Sequence, residues 1–435
     1  MKPTQSFTVG LMAAAVLALG FGGASDVLAQ NKPQNSKTAG PVLKTMKSSL
    51  DAKKYQDVIA KGKEVQGMKD KNAYDEYLAN EMMYFAYAKT NQLGEAVKAL
   101  ETSLASEYLP KSEIPKRNEQ LLVLNYQLKN YDKVIQLGDK AAKEGWADDE
   151  TNQWVAQSYY QKGDYKGSAK YLDGYITSIT RAGRKPKENL LLMLQSSCDK
   201  AGDGACRGRA LEQLVAHYPK SQYWQLLMDS LTRDQSNQSE RTQLQVYRLA
   251  FAVDVPMKPG DYTEYAQLAL EAGSPGEAKA ILEKGFAKKV FPEGRETDRN
   301  NRLLETAKKQ AATDQPQLEK MARDAAAGSS GDKDVSVGLA YLGYQQYDKA
   351  AEAINRGLKK QGIQNVAEAQ LLLGIAEFNA GRKEEARKAF RQVKGDPTLE
   401  RLANLWNLHT QSAAAGNKSA NAGNPPAASG KTAQR

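Results

Sequence analysis

The chain has 435 residues, 41% of them hydrophobic and 26% charged. That is ordinary globular composition with enough length for a core, and it excludes a wholly disordered or fibrous chain. The formal net charge is +10. In a cytosolic protein such an excess raises nucleic acid as a partner.

The first elements in chain order argue against that partner. Lys2 lies in a short polar start, Val9 to Phe21 is an apolar run, and Val27-Leu28-Ala29 places small residues where a signal peptidase reads. The pattern predicts a signal peptide over 1–29, cleaved near Ala29-Gln30. The run is too short to span a bilayer comfortably, and no later stretch is apolar enough. No transmembrane anchor is expected after cleavage. The expected compartment is the periplasm of a Gram-negative bacterium, with secretion as the alternative. Export makes nucleic acid an unsuitable partner and leaves acidic proteins, anionic lipid head groups or anionic polysaccharide.

Residues 30–40 read as a flexible leader. Helix-like segments then follow almost without interruption, and alternating β-branched runs are nearly absent. A spacing recurs among them. Tyr131 and Tyr165 each open a helix-like stretch, 34 residues apart, and Gly338 and Gly374 lie 36 apart. The clearest unit is Val337-Gly338-Leu339-Ala340-Tyr341, then Tyr347-Asp348-Lys349-Ala350, then Ile354. The next is Leu373-Gly374, Gly381, Ala386 and Phe390. Small residues at 338, 374, 350 and 386 let paired helices approach, and Ile354 or Phe390 fills the space four residues on. Gly381 suits a left-handed helix end.

These residues resemble the tetratricopeptide repeat. Weaker copies run through Tyr84 and Tyr87, Tyr131, Tyr159 and Tyr165, Leu211 and Leu214, and Tyr265 and Ala278. The resemblance implies an all-α, right-handed superhelical α-solenoid of about ten helical hairpins with a C-terminal capping helix. The expected divisions are an N-terminal array over 41–220, a degenerate helical hairpin over 221–260 and a C-terminal array over 261–396. A capping helix over 397–411, built on Leu402, Leu405 and Trp406, follows. Residues 412–435 lack large apolar side chains and are expected to be disordered.

In this family the first helices of successive hairpins line a concave groove. Helical spacing and the resemblance together put Glu119, Val123, Tyr126 and Gln127 inward in one unit, and Gln153, Gln157, Tyr160 and Gln161 in the next. Such a wall suits peptide or glycan contact, and the alternative is that Tyr126 and Tyr160 pack between repeats. Leu371, Ile375 and Phe378 form an apolar strip, either docked on the capping helix or exposed. Arg181, Arg184, Lys185 and Lys187 make the densest basic cluster, between hairpins. Cys198 and Cys206 flank a predicted helix–helix turn. In an oxidising compartment they form a disulfide or remain two buried thiols.

Catalytic chemistry has a thin supply. His217 and His409 are the only histidines, and no phosphate loop or zinc-ligand spacing occurs. No catalytic residue, metal or cofactor is expected. The leading reading is a non-catalytic scaffold or adaptor for an envelope protein or peptide, such as an accessory of a TonB-type energy-transduction system. A polysaccharide- or peptidoglycan-binding adaptor is second, and a helical glycan-cleaving enzyme third.

Overall fold

The computed structural model describes residues 33–233 and 239–421, with side chains described through 231 and from 239 to 411. The expected signal segment 1–29 and the last part of the expected tail, 422–435, lie outside the described residues. The described chain is an all-α solenoid of helical hairpins with no strand, only an isolated bridge between Ser330 and Gln361.

The chain forms two compact units, one through Lys133 and one from Val134. The first contains α1 (Ala39–Asp51), α2 (Tyr55–Gly67), α3 (Ala73–Lys89), α4 (Leu93–Leu104) and α5 (Ile114–Gln127), and the boundary falls in α6 (Tyr131–Glu144). The second continues with α7 (Asp149–Gln161), α8 (Tyr165–Arg181), α9 (Glu188–Lys200), α10 (Gly204–His217), α11 (Ser221–Arg233) and α12 (Glu240–Ala252). Then come α13 (Pro259–Glu271), α14 (Pro275–Ala287), α15 (Arg295–Asp314), α16 (Leu318–Ala327), α17 (Gly331–Gly343) and α18 (Tyr347–Leu358). The last are α19 (Val366–Asn379), α20 (Lys383–Arg391) and α21 (Pro397–Asn421).

Helices pair as antiparallel neighbours because a three-residue link reverses the chain. In eight links the middle residue is left-handed: Lys53, Asn91, Lys129, Gly163, Gly202, Gly273, Gln345 and Gly381. The next residue donates its N–H to a carbonyl five residues back, at 2.8–3.0 Å, as Asp164 does to Tyr159 and Arg382 to Glu377. This is a Schellman closure, and it satisfies carbonyls that a helix end leaves open. Close approach then depends on small residues. A Cβ at Gly374 would overlap the Phe390 ring, and one at Gly338 would overlap Ile354.

The sequence period reappears as side-chain bonds between equivalent helices. Tyr84 donates to Gln120 at 3.0 Å, 36 residues on, and Asn189 donates to Gln153 at 2.7 Å, 36 residues back. Thr263 and Asn300, 37 apart, bond at 2.8 Å. Stacking at a fixed offset thus sets which residue meets which.

The second unit departs from a simple stack. α14 packs directly on α17, and α15 runs for 20 residues. Helix α21 covers α19 and α20, and it also reaches back to α10 and α12. Arg401 of α21 bonds Glu212 of α10 at 2.6 Å, across 189 residues. One apolar cluster includes Leu211, Leu227, Leu371, Leu402 and Trp406. The backbone of α21 is helical to Asn421, ten residues into the segment 412–435 expected to be unfolded. Ala413 to Ala415 favour that extension by their helix propensity. The expected leader 30–40 also differs. The Gln34 carbonyl accepts from Asn72 at 2.9 Å, and the Ser36 N–H donates to Asp75 at 3.2 Å. These capping side chains of α3 hold the segment because their polar atoms have capacity to spare.

Candidate partner-binding face

The expected groove residues divide between the two units, and each set is built on one helix. In the first unit, Glu119, Val123 and Tyr126 on α5 are partly exposed and Gln127 is exposed. The opposite face of α5 buries Leu121, Leu122, Leu124 and Asn125, which fixes the direction the polar set takes. The Tyr126 ring meets Tyr131 edge-on at 5.7 Å, and burial followed by Tyr131 pushes its hydroxyl up to about 12.

In the second unit, α7 starts at Asp148, whose Oδ1 accepts the Thr151 N–H at 2.8 Å, and Asp149 and Glu150 complement the helix dipole. Val155 and Ala156 are buried, so Gln153, Gln157, Tyr160 and Gln161 stand on the open side. Gln153 accepts from Asn189. Tyr160 shares a hydrogen bond with Ser196 at 3.1 Å, and its ring meets Tyr165 edge-on at 4.9 Å. Both α7 contacts to α9 span one repeat. Tyr160 therefore packs between repeats while it still edges a polar, uncharged strip formed by α7 and α9.

Two of the four cations of the basic cluster share one carboxylate. Arg181 ends α8, and the other three cations lie in the link to α9. Lys187 and Arg184 approach the Asp149 carboxylate at 3.2 and 3.9 Å, and Tyr175 donates to the same group. The hydrogen bond from Tyr175, outweighing partial burial, and then Lys187 lower the Asp149 pKa. The Lys185 ammonium sits 3.8 Å from the Tyr218 ring centre. In the next repeat Lys220 and Tyr223 do the same for Glu188, lowering its pKa.

Cys198 and Cys206 are joined by a disulfide across the α9–α10 turn, with Cα atoms 5.5 Å apart. Gly202 supplies the left-handed residue inside that loop. Leu371 and Ile375 are buried, and Phe378 meets Trp406 and His409 at 5.7 and 5.2 Å, so the apolar strip is docked on α21. His217 is half-buried and His409 largely buried. Burial lowers both pKa values, and a lysine near each, Lys185 or Lys383, adds to the effect. Among the described residues no group of three His, Cys, Asp or Glu side chains could hold a metal ion, and no helix is long and apolar enough to cross a membrane.

The sequence reading missed two buried ion pairs. In the first unit Arg117 of α5 grips both carboxylate oxygens of Glu81 of α3, at 2.6 and 3.2 Å, with Ser103 on the same carboxylate. In the second, Arg248 of α12 grips Glu277 of α14 at 2.6 and 2.8 Å, and Tyr265 donates to that carboxylate at 2.8 Å. Burial alone would raise the Glu277 pKa, but Arg248 and these hydrogen bonds bring it below its ordinary value. The first pair was open to detection, because opposite charges 36 residues apart match the repeat. The second, 29 apart, had no such signal.

Hairpins with this link and this period define an α-helical repeat protein. Residues 338–399, from mid-α17 to the start of α21, match the family model described as tetratricopeptide repeat. Residues 338–399 thus carry the tetratricopeptide repeat. No curated protein matches it significantly. Solved structures similar to it include a tetratricopeptide repeat protein from Parabacteroides merdae, with 10% identity, 76% of this chain and 98% of that one covered, and a TM-score of 0.29. Yeast Tom70 has 11% identity, coverage of 89% and 96%, and a TM-score of 0.23. The TPR2AB domain of yeast Sti1 in its pHSP90 complex has 11% identity, coverage of 71% and 97%, and a TM-score of 0.24. At these scores the likenesses add nothing to the fold read from the helices themselves.

Proposed function

We propose that this chain is a non-catalytic, exported scaffold that holds a protein or peptide partner on the first-helix faces of its repeats. Repeat arrays of this kind use extended surfaces for binding. The observation that carries the reading is the strip on α7 and α9. Gln153, Gln157, Tyr160, Gln161, Asn189 and Ser196 place amides and hydroxyls there with no charged side chain among them, in a chain that is 26% charged. Amides satisfy the backbone of an extended segment, and tyrosine adds apolar area with a hydroxyl. The proposed setting is the periplasm, in an envelope complex such as a TonB-type energy-transduction system. A photo-crosslinker at Gln157 in living cells is expected to capture an envelope protein. The same probe at Lys170, on the exposed side of α8, should capture none. Equal labelling from both positions overturns the reading.

The same uncharged strip favours a glycan-binding adaptor as the second reading. Co-sedimentation with purified peptidoglycan sacculi that is lost on Tyr160→Ala would support it over the peptide reading.

A further inference from the structure

The positive charge of the first unit is concentrated in one place. From Lys37 to Lys71, across α1 and α2, there are nine lysines and four carboxylates, a net +5 and half of the chain's +10. Residues 72–133, the remainder of the same unit, carry seven cations and nine carboxylates, a net −2. The first unit is therefore electrically polarised, with its positive pole on its first hairpin.

These lysines are placed outward by the packing. Leu43, Met46 and Leu50 of α1, and Val58, Ile59 and Val65 of α2, are buried. Lys37, Lys44, Lys47, Lys53, Lys54, Lys63 and Lys69 are exposed. Lys61 is paired with Glu64 at 2.7 Å. Lys44, Lys54, Lys63 and Lys69 have no ion-pair partner among the described residues. The 181–187 cluster is different, since the carboxylates of Asp149 and Glu188 already draw on its cations.

We infer that the α1–α2 hairpin is a docking face for an anionic lipid bilayer surface. The cations are all lysines, strongly hydrated point charges without the bidentate fork that arginine offers a single phosphate or carboxylate. They are spread along two helices, each about 20 Å long. That distribution suits a plane of many head groups rather than one recognised anion. No large apolar side chain is exposed on the hairpin, so the contact is electrostatic, without insertion, and reversible by salt. Such docking would hold the first unit beside a membrane. This docking does not rest on the groove reading, and either can fail alone.

The test is vesicle co-sedimentation of the protein expressed from Gln30 onward, which keeps every described element. Wild type is expected to pellet with phosphatidylcholine vesicles doped with phosphatidylglycerol and to remain in solution with phosphatidylcholine alone. Binding should vanish when salt shortens the Debye length to about 3 Å. The variant Lys44→Gln, Lys54→Gln, Lys63→Gln, Lys69→Gln is expected to lose at least about tenfold in partitioning. A control changing Lys129, Lys166, Lys170 and Lys200 to Gln removes the same charge elsewhere and is expected to bind like wild type, with circular dichroism checking that both fold. The proposal is overturned if the two variants bind equally. It is also overturned if wild type sediments with neutral vesicles as well, or if it binds an anionic polysaccharide and no phosphatidylglycerol vesicle.

Discussion

In the first unit the buried guanidinium–carboxylate pair joins α3 to α5, one repeat apart, and its neighbours Ser103, Tyr84 and Gln120 all belong to α3, α4 or α5. In the second unit Arg248 and Glu277 join α12 to α14, and Gln245, bonded to Arg248, passes on to Glu368 of α19 at 3.3 Å, 123 residues away. Arg241 reaches the same Glu368, and α21 closes on α10 and α12. One unit is thus held by nearest-neighbour contacts, and the other has a set that ties its middle to its end. Nearest-neighbour arrays unfold as a sum of local terms, whereas long-range ties make a unit lose its structure together.

The largest expected effect tests that difference. Arg248→Ala leaves the buried Glu277 without its counter-charge and should cost about 3–5 kcal/mol. Hydrogen exchange should then rise in α12–α14 and also in α19 and α21. Arg117→Ala leaves Glu81, whose side chain is as buried, with Ser103 as a remaining donor, and is expected to cost a similar amount. Its exchange should rise only in α3–α5. Exchange confined to α12–α14 in Arg248→Ala would break the comparison, since the second unit would then be as local as the first. The double variant Arg248→Met, Glu277→Leu sharpens it, because stability should return without the polar link to Glu368.

A smaller effect comes from pH at the seam of α21. His409 lies between Trp224, Phe378 and Trp406, with ring distances of 5.2–6.1 Å. Burial, then Lys383, lowers its pKa below the ordinary 6.5. A histidine with a lowered folded pKa contributes stability that is complete above the unfolded value and is lost as pH falls through the folded one. Melting temperature should therefore drop below pH 6.5 more steeply in wild type than in His409→Leu. Parallel pH profiles would mean that this seam does not hold the second unit together.

Much of the architecture was legible because period and small residues carry it. Gly338 with Ile354 and Gly374 with Phe390 meet as their spacing suggests. The apolar strip at Leu371, Ile375 and Phe378 was visible as a strip, and only the structure shows what covers it. The long-range ties were not legible. Nothing in a repeat predicts that Arg401 meets Glu212, because that contact depends on how small rotations add over many hairpins. The candidate face was read from helical spacing and the family resemblance together, so its residues were named but not their bonds to Asn189 and Ser196.

The blurred copies have a physical reason that a last substitution exposes. Glycine marks the left-handed link at 163, 202, 273 and 381, but Lys53, Asn91, Lys129 and Gln345 take the same conformation, with φ of 58–61°. Half of these eight turns thus carry no glycine signal, and the repeats around Lys53, Asn91 and Lys129 look degenerate although their closure is the same. A side chain in that region is disfavoured, while glycine there adds chain entropy to the unfolded state. The two effects oppose each other, so Lys129→Gly should stabilise by no more than about 1 kcal/mol. Urea denaturation would measure it, with an unchanged slope expected. A loss of stability instead would mean that the Lys129 side chain contributes more than its backbone costs, and that this turn is specified by something other than the Schellman geometry it shares with the rest.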